Sequence, residues 1–164
     1  TTNEPFFVEI EHHQPSQLPL KIKEKIKSET INALKALNIN FGASHTEIRI
    51  TNDEQLYVIE VGARIGGDFI GSNLVQLSTG YDFIKGVIEI ALGNFQGINK
   101  KFKKYAGVYF LCKETEEVKQ FINNKDKHKE IVQVEITDSK LYNVEKSADR
   151  SGYFIYQSNS KFLV

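Results

Sequence analysis

Two short alternating runs decide the fold, Thr-Glu-Ile-Arg-Ile at residues 46–50 and Leu-Tyr-Val-Ile-Glu-Val at residues 56–61. A polar loop at residues 52–55 separates them and has the length of a hairpin turn. Alternation of apolar and polar residues is typical of a strand with one buried face. The pattern therefore predicts a β-hairpin whose core-facing side chains are Ile48, Ile50, Tyr57, Ile59 and Val61.

The opposite face of the predicted hairpin carries two glutamates. Counting back from a four-residue loop places Glu47 directly opposite Glu60, with Ile48 opposite Ile59. Directly opposed side chains have Cβ atoms about 4.5–5.5 Å apart, and like charges at that distance are destabilising. An arginine or a hard divalent cation such as Mg²⁺, which prefers carboxylate oxygens, would relieve the repulsion. The pattern alone equally allows two solvated glutamates on a half-exposed hairpin.

The loop that follows the second strand reads Gly-Ala-Arg-Ile-Gly-Gly-Asp at residues 62–68. Its arginine, Arg64, has a planar charged fork that matches a phosphate or a carboxylate. The adjacent glycines, Gly66 and Gly67, let the backbone approach a ligand closely, although two glycines also suit a simple turn.

The other segments predict an α+β chain. Strands are expected at residues 6–11, 105–112, 131–136 and 153–157, and helices at about residues 20–37, 70–78, 82–92 and 115–123. Thr115 is expected to cap the last of these helices. The polar, lysine-rich stretch 94–104 reads as a linker. We therefore place a boundary there, which divides the chain into domains 1–97 and 98–164.

Composition excludes several classes of protein. Lys plus Arg and Asp plus Glu both number 21, so the zero net charge argues against a nucleic-acid partner. The single cysteine, Cys112, excludes an internal disulfide framework and a cysteine zinc site. No apolar run is long enough to span a bilayer and no signal peptide is apparent, so we expect a cytoplasmic protein without a membrane partner. The start at Thr1, without a methionine, suggests a piece of a longer protein.

The strings Gly-Ala-Ser-His-Thr-Glu-Ile-Arg (42–49) and Tyr-Val-Ile-Glu-Val-Gly-Ala-Arg-Ile-Gly-Gly-Asp (57–68) resemble the metal-binding core of the ATP-grasp superfamily. They look like the branch that contains L-amino acid ligases and carbamoyl-phosphate-synthase-like proteins. The match covers roughly residues 5–93, and the tail resembles the small C-terminal domain of these enzymes. The resemblance implies the C-terminal half of an ATP-grasp fold, an antiparallel sheet with helices packed on one face, followed by a small α+β appendage.

The resemblance also implies roles for particular residues. Glu47 and Glu60 would hold Mg²⁺ (or Mn²⁺) between the β- and γ-phosphates of ATP. Arg64 would be the catalytic arginine that steadies an acyl phosphate. Arg49 stands where relatives place an aliphatic residue under the adenine, so only its stem would serve that way. Gly62 stands where many relatives have an asparagine metal ligand, so one ion would be held more weakly or through water.

Substrate contacts are implied for the loop and for one histidine. Gly66, Gly67 and Asp68 would shape the pocket for the carboxylate substrate. His45 would face the same side as Glu47, either in contact with substrate or as a hydrogen-bonded strand histidine.

The implied function is an ATP- and Mg-dependent carboxylate–amine ligase that works through an acyl phosphate, with ATP as co-substrate. Its partners would be a small carboxylate, an amine and the rest of the ATP-grasp chain, with a homodimer as a further candidate assembly. The 164 residues alone would be inactive. The alternative is a non-catalytic ATP-grasp-derived module or a split subunit that needs a partner chain. Biotin-carboxylase-like chemistry uses the same core, but Gly66-Gly67-Asp68 fits it poorly.

Overall fold

A computed structural model describes residues 1–2 and 4–164 and confirms the predicted α+β class. The strands are β1 (Glu11–Gln14), β2 (His45–Ile50), β3 (Leu56–Gly62), β4 (Tyr105–Leu111), β5 (Ile131–Ile136) and β6 (Gly152–Ser158). The helices are α1 (Leu20–Ala36), α2 (Val75–Thr79), α3 (Phe83–Ala91) and α4 (Val118–Asn123). A π-helical turn, Ile70–Leu74, leads into α2.

The chain forms two compact units. The sheet unit consists of Thr1–Pro15, Asn73–Gly80 and Lys100–Val164, and the hairpin unit consists of Ser16–Ser72 and Tyr81–Asn99. One border falls at residues 99 and 100, close to the linker predicted from composition. The division into domains 1–97 and 98–164 stays a prediction, because compactness alone does not define a domain's family boundary.

The sheet unit is built on a four-stranded antiparallel sheet with strand order β1-β4-β6-β5. Strands β4 and β6 lie in its centre and are almost continuously apolar, because both of their faces are covered. Helix α4 packs against these two strands. The core includes Leu111, Val118, Phe154 and Tyr156, each at most 1% exposed.

Strand β1 lies later in the chain than predicted. The alternation at residues 6–11 predicted a strand there, but the strand runs over Glu11–Gln14. The backbone N–H of Thr2 donates to the carbonyl of Val8 at 2.7 Å, and residues 4–6 form a turn in place of the start of the predicted strand. The strand exists because β4 pairs with it, Glu11 opposite Tyr109. That partner lies about ninety residues further on, beyond the reach of a local pattern.

The hairpin unit, which runs over Ser16–Ser72 and Tyr81–Asn99, consists of α1, the β2–β3 hairpin and α3. Helix α1 begins at Leu20 after Pro19, as predicted, and packs against β3. Helix α3 is followed by Gly93, whose φ of 72° gives the left-handed conformation expected after a helix end. Both helices therefore follow their local sequence signals.

Thr115 does not cap a helix as predicted. Helix α4 begins at Val118, and Thr115 ends a short 3₁₀ turn instead. Its hydroxyl donates to the carbonyl of Phe110 at 2.6 Å and accepts from the N–H of Cys112 at 3.2 Å. The buried hydroxyl of Thr115 therefore satisfies two backbone groups at the end of β4. Among the helices described, none is both long and apolar enough to cross a membrane.

Candidate active site

The hairpin register places Glu47 directly opposite Glu60, as predicted. The loop length and the register that produce this pair differ from the prediction. The loop has five residues, closed by a 3.0 Å hydrogen bond from the N–H of Thr51 to the carbonyl of Gln55. Near the loop the register is therefore shifted by one residue, and a bulge between Glu47 and Ile48 restores it. The two deviations cancel at the glutamates.

The bulge changes which side chains share a face. Ile48 pairs with Val58 and not with Ile59, and Arg49 pairs with Tyr57. Because paired residues lie on the same face, Tyr57 joins the glutamate face, and its assignment to the core face from alternation was wrong. Val58 lies on the face of Ile48. Tyr57 and Ile59, expected in the core, are 56% and 59% exposed.

Each glutamate has a cationic or titratable neighbour. The Nη2 of Arg64 donates to Oε1 of Glu60 at 3.1 Å, and its Nη1 donates to the carbonyl of Ile65 at 3.0 Å. The Nε2 of His45 lies 3.7 Å from Oε1 of Glu47. The Arg64–Glu60 pair is half exposed, and such pairs contribute about 0–1 kcal/mol. A ligand that binds either carboxylate more strongly can therefore displace Arg64 or His45 at a small cost in free energy.

Gly62 leaves room for Arg64 to reach Glu60. A Cβ at position 62 would lie 3.2 Å from Cγ and 3.4 Å from Nε of Arg64, tighter than ordinary contact. The space in which an asparagine side chain would begin is thus next to the stem of Arg64. The resembling ATP-grasp sequences often have an asparagine here, and in this chain the stem of Arg64 occupies the space beside the glycine.

The two glycines of the loop differ in their surroundings. A Cβ on Gly66 would lie 2.9 Å from Nδ1 of His45 and 3.0 Å from Cγ2 of Ile70, whereas a Cβ on Gly67 would meet nothing within 4 Å. Gly66 is therefore a packing position under His45, and Gly67 presents open backbone. The next residue, Asp68, has a φ of 46°, in the left-handed region that non-glycine residues rarely adopt.

The hairpin unit thus brings together most of the residues expected at the site. Glu47, Glu60 and Arg49 share one face of the hairpin, Arg64 bonds to Glu60, and His45 packs against Gly66. Their carboxylate oxygens are the donor type that a hard divalent ion takes, and their half-exposed position leaves places for water and phosphate oxygens.

The sheet unit holds a polar cluster that no local sequence pattern predicted. His13, Gly107 and Tyr156 stand in one cross-strand row on β1, β4 and β6. The Nδ1 of His13 lies 2.9 Å from the hydroxyl of Tyr156, and its Nε2 lies 3.0 Å from Oε2 of Glu11. Burial, and then the neighbouring Tyr109 and Glu11, raise the pKa of Tyr156. The His13 side chain lies over Gly107 and links the edge strand β1 to the central strand β6. A row of this kind joins residues from three strands, so no local sequence pattern predicts it.

Comparison with known proteins shows similarity to the ATP-grasp domain. The family model of the ATP-grasp domain matches residues 1–72. An L-amino acid ligase from Bacillus licheniformis is 30% identical with a TM-score of 0.74, over 97% of this chain and 43% of that one. None of the curated proteins matches.

Two further solved structures share the fold at lower identity. N5-carboxyaminoimidazole synthetase from Staphylococcus aureus is 18% identical with a TM-score of 0.62, over 92% of this chain and 38% of that one. Biotin carboxylase from Campylobacter jejuni is 14% identical with a TM-score of 0.57, over 93% of this chain and 35% of that one. The chain spans less than half of the length of each of these three proteins. The chain therefore matches the ATP-grasp domain over residues 1–72 and carries part of an ATP-grasp fold.

Proposed function

We propose that this chain is part of an ATP- and Mg-dependent carboxylate–amine ligase that forms an acyl phosphate. The observation that carries the proposal is the opposed pair Glu47 and Glu60 with Arg64 bonded to one of them. The 30% identity with an L-amino acid ligase supports a ligase over the other activities found on this fold. Fold similarity to biotin carboxylase comes at 14% identity and supports the architecture alone.

The two glutamates would hold the metal. Their oxygens are donors of the kind that Mg²⁺ or Mn²⁺ accepts, and Mg²⁺ commonly takes one or two carboxylates together with substrate phosphates and water. When bound, the metal would neutralise charge on the ATP phosphates during phosphoryl transfer. Within this chain, the hairpin register sets the two carboxylates opposite each other, and Gly62 offers no side-chain oxygen, so that water would serve in its place.

Arg64 would be the catalytic residue of this part of the site. Its bond to Glu60 is half exposed and therefore easily exchanged. Once displaced from Glu60, the guanidinium would be able to offer two parallel N–H donors to an acyl phosphate.

The remaining residues would position the substrates. Arg49, on the glutamate face, would lay its stem under the adenine. Gly67 and Asp68 would line the carboxylate pocket, with open backbone at the glycine. Gly66 would admit His45 to the edge of that pocket, where the histidine also lies beside Glu47.

The alternative is a non-catalytic module or a split subunit that needs a partner chain. Gly62 favours it, because the glycine removes a side-chain oxygen ligand from the metal site. Retention of Glu47, Glu60 and Arg64 together favours the ligase, because a module without catalysis has no need for two opposed carboxylates, which are destabilising by themselves.

Steady-state kinetics of the complete polypeptide tests the proposal. The assay follows ADP release and hydroxylamine-trapped acyl phosphate with pools of L-amino acids, ATP and saturating Mg²⁺. Glu60→Gln should lower kcat as well as ATP affinity, and Arg64→Lys should impair acyl-phosphate formation with ATP binding largely spared. Arg49→Ala should mainly raise the KM for ATP. Glu54→Gln, an exposed change in the hairpin loop, is the matched control.

The outcomes separate the two functions. If Glu60→Gln and Arg64→Lys both keep kcat/KM near that of the unmodified enzyme, the non-catalytic alternative replaces the ligase. The 164-residue chain should neither hydrolyse ATP nor bind Mg-ATP tightly, since it spans less than half of its relatives. Micromolar Mg-ATP affinity of this chain in calorimetry would contradict that expectation.

A further inference from the structure

The outer strand β5 turns one row of backbone groups away from the four-stranded sheet. The strand order is β1-β4-β6-β5, so among the described residues β5 pairs with a strand on one side only. The N–H of Thr137 donates to the carbonyl of Ser151 at 2.9 Å, on the side of β6. Backbone groups of an antiparallel strand point alternately to its two sides. The N–H and C=O groups of Val134 and Ile136 therefore point away from β6.

Strand β5 has few of the features that protect the edges of natural sheets. Lysine, proline, bulges and very short strands keep such edges from pairing with other chains. Strand β5 has six residues and contains neither lysine nor proline, and its bulge lies at the start, between Ile131 and Gln133. Val132 and Ile136 are 44% and 45% exposed. The strand therefore offers a largely apolar edge to which a further strand can be added.

Two polar side chains on one face of β5 give this edge a complementary pattern. The Nε2 of Gln133 donates to the hydroxyl of Tyr153 at 2.6 Å, and that hydroxyl donates to Oε2 of Glu135 at 2.7 Å. These bonds use one of the two N–H groups of the amide and one of the two oxygens of the carboxylate. A donor and an acceptor of matching type thus stand two residues apart along the edge strand.

A second copy of β5 matches this pattern in one antiparallel register. With a two-fold axis at Val134, Gln133 of each copy lies opposite Glu135 of the other copy. In the same register, Val132 of each copy lies opposite Ile136 of the other. The amide then faces a carboxylate, the exposed apolar side chains face each other, and both kinds of cross-strand pair are stabilising.

The two neighbouring registers are less favourable. An axis at Glu135 places two carboxylates directly opposite each other, and like charges in that position are destabilising. An axis at Gln133 places Glu135 opposite the apolar Ile131. A strand from elsewhere in a longer polypeptide would have to supply the alternation of apolar and complementary polar residues that β5 itself contains. The charge pattern therefore favours a second copy as the occupant of this edge.

We infer that β5 is a homodimer interface, at which two copies of the chain join their sheets into one continuous antiparallel sheet with Val134 at the two-fold axis. This interface goes beyond the proposed ligase function and does not depend on the ligase chemistry. A pair of strands alone buries less surface than a standard protein–protein interface, so the dimer should be weak and reversible.

Sedimentation equilibrium of the complete polypeptide tests the interface. The unmodified protein should show a reversible monomer–dimer equilibrium. Gln133→Glu places two carboxylates opposite each other at both symmetric positions, so it should weaken dimerisation about tenfold. Adding Glu135→Gln exchanges the two side chains, recreates both amide–carboxylate pairs and should restore the dissociation constant to within about twofold. Gln120→Glu, the same chemical change on the exposed side of α4, is the matched control, and urea midpoints check the fold of each variant.

Disulfide cross-linking reads the register. With the axis at Val134, the two Cα atoms at this position lie about 5.5 Å apart, a separation that a disulfide spans. The two Ile136 positions lie four residues out of register and are too far apart to be bridged. Val134→Cys should therefore form a covalent dimer under mild oxidation, whereas Ile136→Cys should not. The native Cys112 is buried.

A complete polypeptide that stays monomeric at its highest soluble concentration would overturn the interface and indicate that another segment covers β5. A dimer that Gln133→Glu leaves unchanged would also overturn it, as would cross-linking at position 136 without cross-linking at position 134. Neither measurement requires catalysis. An inactive polypeptide that dimerises through β5 would count against the proposed function alone, and an active monomeric ligase would count against the interface alone.

Discussion

Gly66→Ala is the sharpest test of how the loop is packed. The new Cβ would lie 2.9 Å from Nδ1 of His45, and 3.0 and 3.1 Å from Cγ2 and Cβ of Ile70. Ordinary carbon contacts are about 3.5–4.0 Å, so the neighbours must move by roughly 0.5–1 Å. The imidazole can swing towards solvent, but Cβ of Ile70 is fixed to the backbone of the next turn. The substitution should therefore displace both His45 and the start of the π-helical turn.

The expected cost follows from two opposing effects. Overpacking costs about 1–3 kcal/mol, and the partial exposure of His45 places this site towards the lower end. Replacing glycine by alanine at an unstrained position stabilises by about 0.4–1 kcal/mol through the unfolded state. Gly66→Ala should therefore lower the free energy of unfolding by about 0–2 kcal/mol. Gly67→Ala, which meets nothing within 4 Å, should leave it unchanged or raise it slightly.

The assay pairs urea unfolding with NMR of the imidazole groups, which number four in this chain. A His45→Gln variant assigns the His45 resonances. Gly66→Ala should shift those resonances and Gly67→Ala should not. Equal effects of the two variants, or unmoved His45 resonances in Gly66→Ala, would refute the packing of His45 over Gly66. In the ligase proposed above, the same displacement should raise the KM for the carboxylate substrate.

Three further outcomes are expected. Gly107→Ala would bring a Cβ within 2.5 Å of Nδ1 of His13 and 2.6 Å of Cε1 of Tyr156. It should therefore lower the urea midpoint of the sheet unit by the equivalent of about 3 kcal/mol. An unchanged midpoint would contradict the packing of His13 and Tyr156 against Gly107. Burial raises the pKa of Tyr109 and Tyr156 above 10.0, so their contribution to stability is complete below about pH 10 and is lost as pH rises further; absorbance at the tyrosinate band should show both ionising together with unfolding. Asp82→Ala removes the N-cap of α3, which accepts a backbone N–H at 2.9 Å, and should cost about 1 kcal/mol in exchange-measured stability of that helix, whereas Asp82→Asn should cost little.

Local alternation predicted only part of the hairpin register. Alternation predicted both strands and the opposed glutamates, and the structure has them. The predicted pairing of Ile48 with Ile59 was wrong, because hairpin register depends on loop length and bulges as well as on alternation. A five-residue loop and one bulge offset each other here. Had either occurred alone, the two glutamates would have faced opposite sides of the sheet.

The sequence by itself determined the elements whose signals lie within a few residues: α1 after Pro19, α3 up to Gly93, the two hairpin strands and the α+β class. These follow from periodicity, capping and glycine conformations, all of which are short-range properties. The resemblance of residues 42–49 and 57–68 to the ATP-grasp core was equally local, and the comparisons confirm an ATP-grasp fold.

Only the tertiary structure decided where β1 begins, which hairpin face is which, and that residues 1–15 belong with the C-terminal sheet. It also decided that Arg64 packs beside Gly62 and that His13 reaches Tyr156 across Gly107. In each case the partner lies on another element or across a turn, and the outcome depends on hydrogen bonds and steric contacts that form only once the chain has folded. Burial is decided the same way, because Ile59, which alternation predicted to face the core, is 59% exposed in the structure.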